Sequence, residues 1–134
     1  MSQLQQAITQ LHMSLALTSS STVPIAALSA LGVQAVYAYE PGPQGLPTAL
    51  AVTVAPGDPA MDATMVTARL RVYASSKDLG AETAQSALIA TMEAIDLLPD
   101  DEFGKAPWSW GYDADLDVLL AQSDLPFLRD DMST

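Results

Sequence analysis

The chain contains no cysteine and only one histidine among its 134 residues. The absence of thiols excludes thiol catalysis, zinc–thiolate sites and iron–sulfur ligation. His12 has no second imidazole with which to share a transition metal, and helical spacing brings no acid to it. We therefore expect His12 to be a surface or interface histidine. No run of about 18 uninterrupted apolar residues occurs, so the sequence predicts no membrane span.

Basic residues are also scarce, because five Lys and Arg stand against 16 Asp and Glu, for a net charge of −11. The imbalance is concentrated after position 92, where Lys105 and Arg129 are the two bases among eleven acids. Such a surface repels nucleic acid and anionic membranes. It serves either as a solubility face or as an electrostatic surface for a partner.

Hydrophobic residues make up 49% of the chain, and the mean hydropathy is +0.20. These values argue against intrinsic disorder, and the length is that of one domain covering residues 1–134.

The segment 64–98 carries the clearest local pattern, a strand that leads into a helix. Apolar and more polar residues alternate over ten positions, which is typical of a strand with one buried face. The inner set is Val66, Ala68, Leu70, Val72 and Ala74, and the outer set is Met65, Thr67, Arg69, Arg71 and Tyr73. Ser75, Ser76 and Asp78 then provide helix-capping side chains. Ala84, Leu88, Met92 and Ile95 follow at helical spacing as one apolar stripe.

The remaining elements complete a single α+β domain. Leu4, Ile8, Leu11 and Leu15 predict an N-terminal helix over 1–17, and Pro24 and Gly32 frame a short helix over 24–31. Strands over 33–39, 48–54 and 64–74 are expected to form an antiparallel meander, with a helix over 78–98 packed on one face. We expect an edge strand over 108–112 and a loose tail over 128–134. The apolar residues of 114–122 fit both a helix and a strand, and we favour extended structure over 118–127. The sheet is expected to be mostly antiparallel, with about four strands.

No motif in the chain predicts a catalytic, cofactor-binding or metal-binding residue. Four acids match positions 1, 3, 5 and 12 of a would-be calcium loop, namely Asp113, Asp115, Asp117 and Asp124. However, Val118 occupies the position at which that loop requires glycine. We expect these acids to form the solvent-exposed face of a strand or turn.

Two further groups of residues, a cluster of acids and a pair of glycines, do not fit a catalytic or phosphate-binding site. Asp100, Asp101 and Glu102 are adjacent in a polar bend, whereas catalytic carboxylates need contrasting environments. Gly42 and Gly45 lie among prolines and form no phosphate cradle.

Two aromatic or basic groups are candidates for a subunit contact. Arg69, Arg71 and Tyr73 share one face of the long strand, which is either solvated or an interface. Trp108, Trp110 and Tyr112 either seal the core under the helix or anchor an interface. Two loops rich in Pro and Gly, over 40–47 and 55–61, are candidate partner contacts, and the polar residues proposed for these contacts are Glu40, Gln44, Asp58 and Asp62.

Two segments of the chain stand out together with the order of its elements: 70–98 (LRVYASSKDLGAETAQSALIATMEAIDLL) and 108–131 (WSWGYDADLDVLLAQSDLPFLRDD). In these features the chain resembles the tail terminator proteins of long-tailed, siphovirus-like bacteriophages. The closing Pro-Phe-Leu-Arg-Asp of 126–130 is similar to the ends of such proteins in phages of actinobacteria. Related head–tail connector and neck proteins share this size and organisation.

The resemblance implies a non-enzymatic virion protein without cofactors. Such a subunit forms a homohexameric ring on the last ring of tail-tube subunits, ends tube growth and joins the tail to a neck or head-completion protein. DNA passes through the ring without specific binding. The implied location is the tail–head junction of the virion, and the host cytoplasm during assembly. In such a ring, Arg69 and Arg71 of one subunit are expected to pair with acids of the next.

Two other function classes stay open. An acidic, non-enzymatic inhibitor would mimic DNA with acids spaced like phosphates, for which Asp113, Asp115 and Asp117 qualify. An enzyme would need a recruited metal or a pocket that the sequence does not reveal.

Overall fold

A computed structural model of the chain describes residues 3–18, 21–39, 49–57, 65–97, 108–114 and 117–128. The elements are α1 (Gln3–Leu15), α2 (Ala26–Ser29), β1 (Ala35–Tyr37), β2 (Leu50–Pro56), β3 (Met65–Ser75), α3 (Ser76–Leu79), α4 (Ala81–Asp96), β4 (Ser109–Asp113) and β5 (Val118–Leu128). The α+β class is confirmed. So are the N-terminal helix, the long strand, the outer strand near residue 110 and the extended segment after 117.

The five strands form one sheet in the order β1-β2-β3-β5-β4. Three of the four pairings are antiparallel, but β1 runs parallel to β2, with Val36 opposite Val52. The predicted antiparallel meander is therefore wrong for β1, and the sheet has five strands where about four were expected. The connection over 38–49 is long enough to return the chain to the same end of the sheet, which a parallel pair requires.

The helices cover one face of the sheet and enclose the core. The alternation predicted for β3 places Ala68, Leu70, Val72 and Ala74 inside, each at most 1% exposed. The predicted stripe of α4 is also buried, from Ala84 to Ile95, and packs in the same cluster as Ile8, Leu11 and Leu15 of α1. Burial of this apolar surface is the main favourable term for the fold.

The helix predicted over 78–98 is broken at Gly80. Ser75 caps α3, because its Oγ accepts a hydrogen bond from the Asp78 N–H at 3.2 Å. Gly80 then has φ 86° and ψ 151°, a conformation that is essentially restricted to glycine. The chain therefore changes direction between α3 and α4, and the prediction of one continuous helix is corrected.

No described helix packs on the opposite face of the sheet. Its small central residues, such as Ala51 and Thr53, are nevertheless buried. Tyr73 was expected on the wet face, yet it is only 2% exposed. It lies on the central strand with Ala51 and Leu120 as cross-strand neighbours, and its hydroxyl accepts a hydrogen bond from Arg71 at 3.2 Å. The expectation that Tyr73 lies on a solvent-exposed face is therefore corrected.

Candidate interaction surfaces

The outer edge of β1 is closed by α1 and by the segment that follows it. His12 is 2% exposed, and its Nε2 lies 3.2 Å from the Val36 carbonyl oxygen. The Val36 N–H donates to the Thr22 carbonyl at 2.8 Å. Both outward-facing backbone groups of Val36 therefore have partners, which protects this edge from pairing with another strand.

The buried position of His12 corrects the expectation of a surface or interface histidine. His12 follows Ile8 by four residues and precedes Leu15 by three, so it belongs to the inward stripe of α1. With Nε2 donating to Val36, Nδ1 has no hydrogen-bond partner in the part of the chain that the structure describes. His12 thus acts on the fold, as a cap for the β1 edge.

Beside this closed edge lies a small exposed apolar patch, which we call the N-terminal patch and define as Met13, Leu17 and Val23. These side chains are 53%, 61% and 50% exposed. The Leu17 N–H donates to the Val23 carbonyl at 2.9 Å, so these two residues are neighbours. Met13 lies in the last turn of α1, four positions before Leu17. The sequence patterns did not single them out.

The two arginines of β3 lie on the helix-free face and contact β5 of the same subunit. Arg69 makes a bidentate ion pair with Asp124, with Nε–Oδ1 at 2.9 Å and Nη2–Oδ2 at 3.3 Å. Arg71 Nε donates to Gln122 Oε1 at 2.8 Å. The register explains both contacts, because Arg69 is directly opposite Asp124 and Arg71 is directly opposite Gln122.

These contacts bear on the expected role of the arginines between subunits. The side chains of Arg69 and Asp124 are 17% and 37% exposed, so part of the ion pair reaches the surface. A partly exposed pair of this kind contributes about 0.2–1 kcal/mol to stability. A contact of these arginines with acids of a neighbouring subunit stays a prediction. In such a contact, Arg69 and Arg71 would bind the neighbouring acids while also bonding to Asp124 and Gln122 of their own subunit.

The other edge of the sheet, β4, carries the aromatic cluster. Trp108, just before β4, packs against the core, and its Nε1 donates to both carboxylate oxygens of Asp96 at 3.0 and 3.3 Å. Trp110 and Tyr112 are 56% and 55% exposed. Each of the two alternatives predicted for the cluster therefore applies to part of it. Trp108 packs against the core, whereas Trp110 and Tyr112 remain exposed and available for an interface.

Tyr112 is held by the turn that joins β4 to β5. Its hydroxyl donates to Asp117 Oδ1 at 2.5 Å. This hydrogen bond, with smaller effects from desolvation and from the charges of Asp117 and Asp113, raises the pKa of Tyr112 above its usual value of 10.0. Asp117 has a positive φ of 56°, a conformation that Asp tolerates better than most residues. Its carbonyl also accepts from the Ser76 N–H at 2.8 Å, which anchors the turn to α3.

The would-be calcium loop begins at the end of β4 and continues along β5. Asp113 ends β4, Asp117 precedes β5, and Asp124 lies on β5 in the ion pair with Arg69. Seven residues of extended strand span about 23 Å, so Asp117 and Asp124 cannot share one ion. Asp115 lies outside the described residues. Within the described ranges, no group of three or more potential metal ligands occurs.

Other candidates from the sequence fall outside the described ranges. These are Glu40, Gln44, Asp58 and Asp62 as partner contacts, the acids Asp100, Asp101 and Glu102, the glycines Gly42 and Gly45, and the tail beyond Leu128. Among the described helices, none is long and apolar enough to cross a membrane.

Comparisons of the chain with protein-family models, with curated proteins and with solved structures find no match.

Proposed function

We propose that this chain is a structural subunit of a bacteriophage virion, which forms a ring that caps the tail tube, ends its polymerisation and joins the tail to the neck. The resemblance of segments 70–98 and 108–131 to tail terminator proteins supplies the biological role. A related head–tail connector or head-completion protein is the alternative within the same class. The partners are further copies of the chain, a tail-tube protein and a neck protein.

The observation that carries the proposal is the pair of exposed aromatic residues on β4. Trp110 and Tyr112 lie on the outermost strand of the sheet, and each is more than half exposed. Large aromatic side chains are concentrated at the centres of protein interfaces, where they bury much area at little entropic cost. An outer strand also presents backbone groups to a partner. These properties support a role in assembly.

The proposal is tested with the tail-tube protein encoded in the same genome. Tube polymerisation is started in the presence or absence of the purified chain, and tube lengths are measured by negative-stain electron microscopy. We expect shorter tubes with a ring at one end. The variant carrying Trp110→Ala and Tyr112→Ala should lose this effect, whereas Ile89→Ala, on the outer side of α4, should retain it.

Two results bear directly against the proposal. Tubes of unchanged length with no ring at either end would contradict a terminator role. A chain that binds a neck protein but not tubes would favour the connector alternative.

A further inference from the structure

The charged residues of this chain are absent from its first 39 positions. None of the sixteen acids or five bases occurs before Glu40, and His12, the only other ionisable basic side chain, is buried. Residues 3–18 and 21–39 build α1, α2 and β1, and both His12 of α1 and Thr22 after it contact the backbone of Val36 at the β1 edge. A chain with a net charge of −11 thus has an uncharged end beside the β1 edge, whose described N-terminal residues include no Asp, Glu, Lys or Arg.

The N-terminal patch lies at this uncharged end. Exposed apolar side chains that form a contiguous group, without charges among them, are typical of the centre of a protein interface. Met13, Leu17 and Val23 are each at least half exposed, and Leu17 and Val23 are joined by a backbone hydrogen bond. No described helix or strand of the same subunit covers them.

We infer that the N-terminal patch of one subunit receives Trp110 and Tyr112 of a second copy of the chain. This inference rests on the self-association in the proposed function and adds the two surfaces that meet. Because Asp113 and Asp117 flank Tyr112, docking β4 against another acidic surface would bring carboxylates together. The uncharged end contributes no Asp or Glu side chain to such a contact.

The position of the two surfaces fits a ring. The sheet order places β1 at one end and β4 at the other, and five strands span about 19 Å between the outer two. A contact between unlike surfaces at opposite ends of a subunit is heterologous, and it closes into a ring when the rotation permits. The Val36 backbone is already paired with His12 and Thr22, so the contact is made by side chains and not by joining β4 to β1.

The first test places a charge in the patch and measures self-association. Sedimentation velocity over a concentration series would compare the wild type with Leu17→Glu, and Ile89→Glu on α4 provides the matched control. Leu17 is 61% exposed, so the fold should tolerate the change, which far-UV circular dichroism would check. We expect Leu17→Glu to raise the dissociation constant by about tenfold or more, as at an interface hot spot, and the control to change it little.

The second test uses the absence of cysteine to read the pairing directly. The single variants Val23→Cys and Tyr112→Cys are oxidised alone and as an equimolar mixture, and disulfide-linked dimers are measured on non-reducing gels. The inference predicts a mixed dimer and little of either homodimer.

The outcomes separate this inference from the proposed function. Assembly of the wild type together with unimpaired assembly of Leu17→Glu, or a dominant Val23→Cys homodimer, would overturn the inference and leave the ring intact. A wild type that remains a single chain at every concentration would overturn both.

Discussion

Gly80 provides the sharpest test of how the sequence directs this fold. Substitution to Ala adds one methyl group at φ 86° and ψ 151°, and no atom lies within 4 Å of the new Cβ. Steric clash with distant parts of the chain is therefore absent, and the cost is that of the backbone conformation. This cost is about 1–3 kcal/mol, offset by about 0.4–1 kcal/mol from the restricted unfolded chain.

We expect Gly80→Ala to lower the free energy of unfolding by about 1–2 kcal/mol, or the Tm by about 4–8 °C. The measurement is urea or thermal unfolding followed by far-UV circular dichroism at one fixed subunit concentration, because self-association shifts apparent stability. Gly111→Ala is the matched control, since its Cβ would meet Leu120 at an ordinary 3.5 Å without a positive φ. Equal stability of Gly80→Ala and the wild type, or equal damage from Gly111→Ala, would refute the reasoning.

Three further predictions concern polar contacts. His12→Ala removes a buried hydrogen-bond donor to the Val36 carbonyl and leaves a cavity. We expect it to lower the free energy of unfolding in urea by about 2–4 kcal/mol. A decrease below about 0.5 kcal/mol would contradict the role of His12 as a cap for the β1 edge. A double-mutant cycle on Arg69 and Asp124 should give a coupling of about 0.5–1 kcal/mol that falls with added salt, and a salt-independent value would count against a surface ion pair. Ultraviolet titration should show Tyr112 ionising above pH 10.0, and Asp117→Ala should return it towards that value. Since the pKa of Tyr112 is raised in the folded state, the stability that this hydrogen bond adds should be present below pH 10.0 and lost as the pH rises through the folded-state pKa. An unchanged titration in Asp117→Ala would exclude the hydrogen bond as the cause of the raised pKa.

Local patterns predicted the elements whose packing is dominated by one apolar face. The alternation in β3 and the stripe in α4 each place a clear set of residues against the core, so periodicity alone located them. The capping role of Ser75 was also readable, because it depends on residues three positions apart.

The errors arose where pairing partners are distant in the sequence. The direction of β1 depends on where the connection over 38–49 returns, which no local pattern reveals. Gly80 fits a helical stripe by spacing, yet its φ breaks the helix. Helical spacing provides no partner for His12, because its partner, the Val36 carbonyl, is a backbone group 24 residues away.

The candidate surfaces were predictable only in part. Residue type alone predicts Trp110 as an interface residue, but the distinction between exposed Trp110 and packed Trp108 depends on where α4 ends. The alternation of the strand correctly predicts that Arg69 and Arg71 share one face, whereas their partners Asp124 and Gln122 follow from the register of β3 and β5. The N-terminal patch had a readable signal, the absence of charge before Glu40, but its contiguity comes from tertiary structure.

Self-association is the central claim of this account, and native mass spectrometry of the wild-type chain over a range of concentrations tests it most directly. The account predicts one closed species at a fixed multiple of the 14.1 kDa subunit mass, six for a tail terminator, that does not grow further as concentration rises. A mass of 14.1 kDa at every concentration, or an open-ended ladder of species without a closed form, would contradict it.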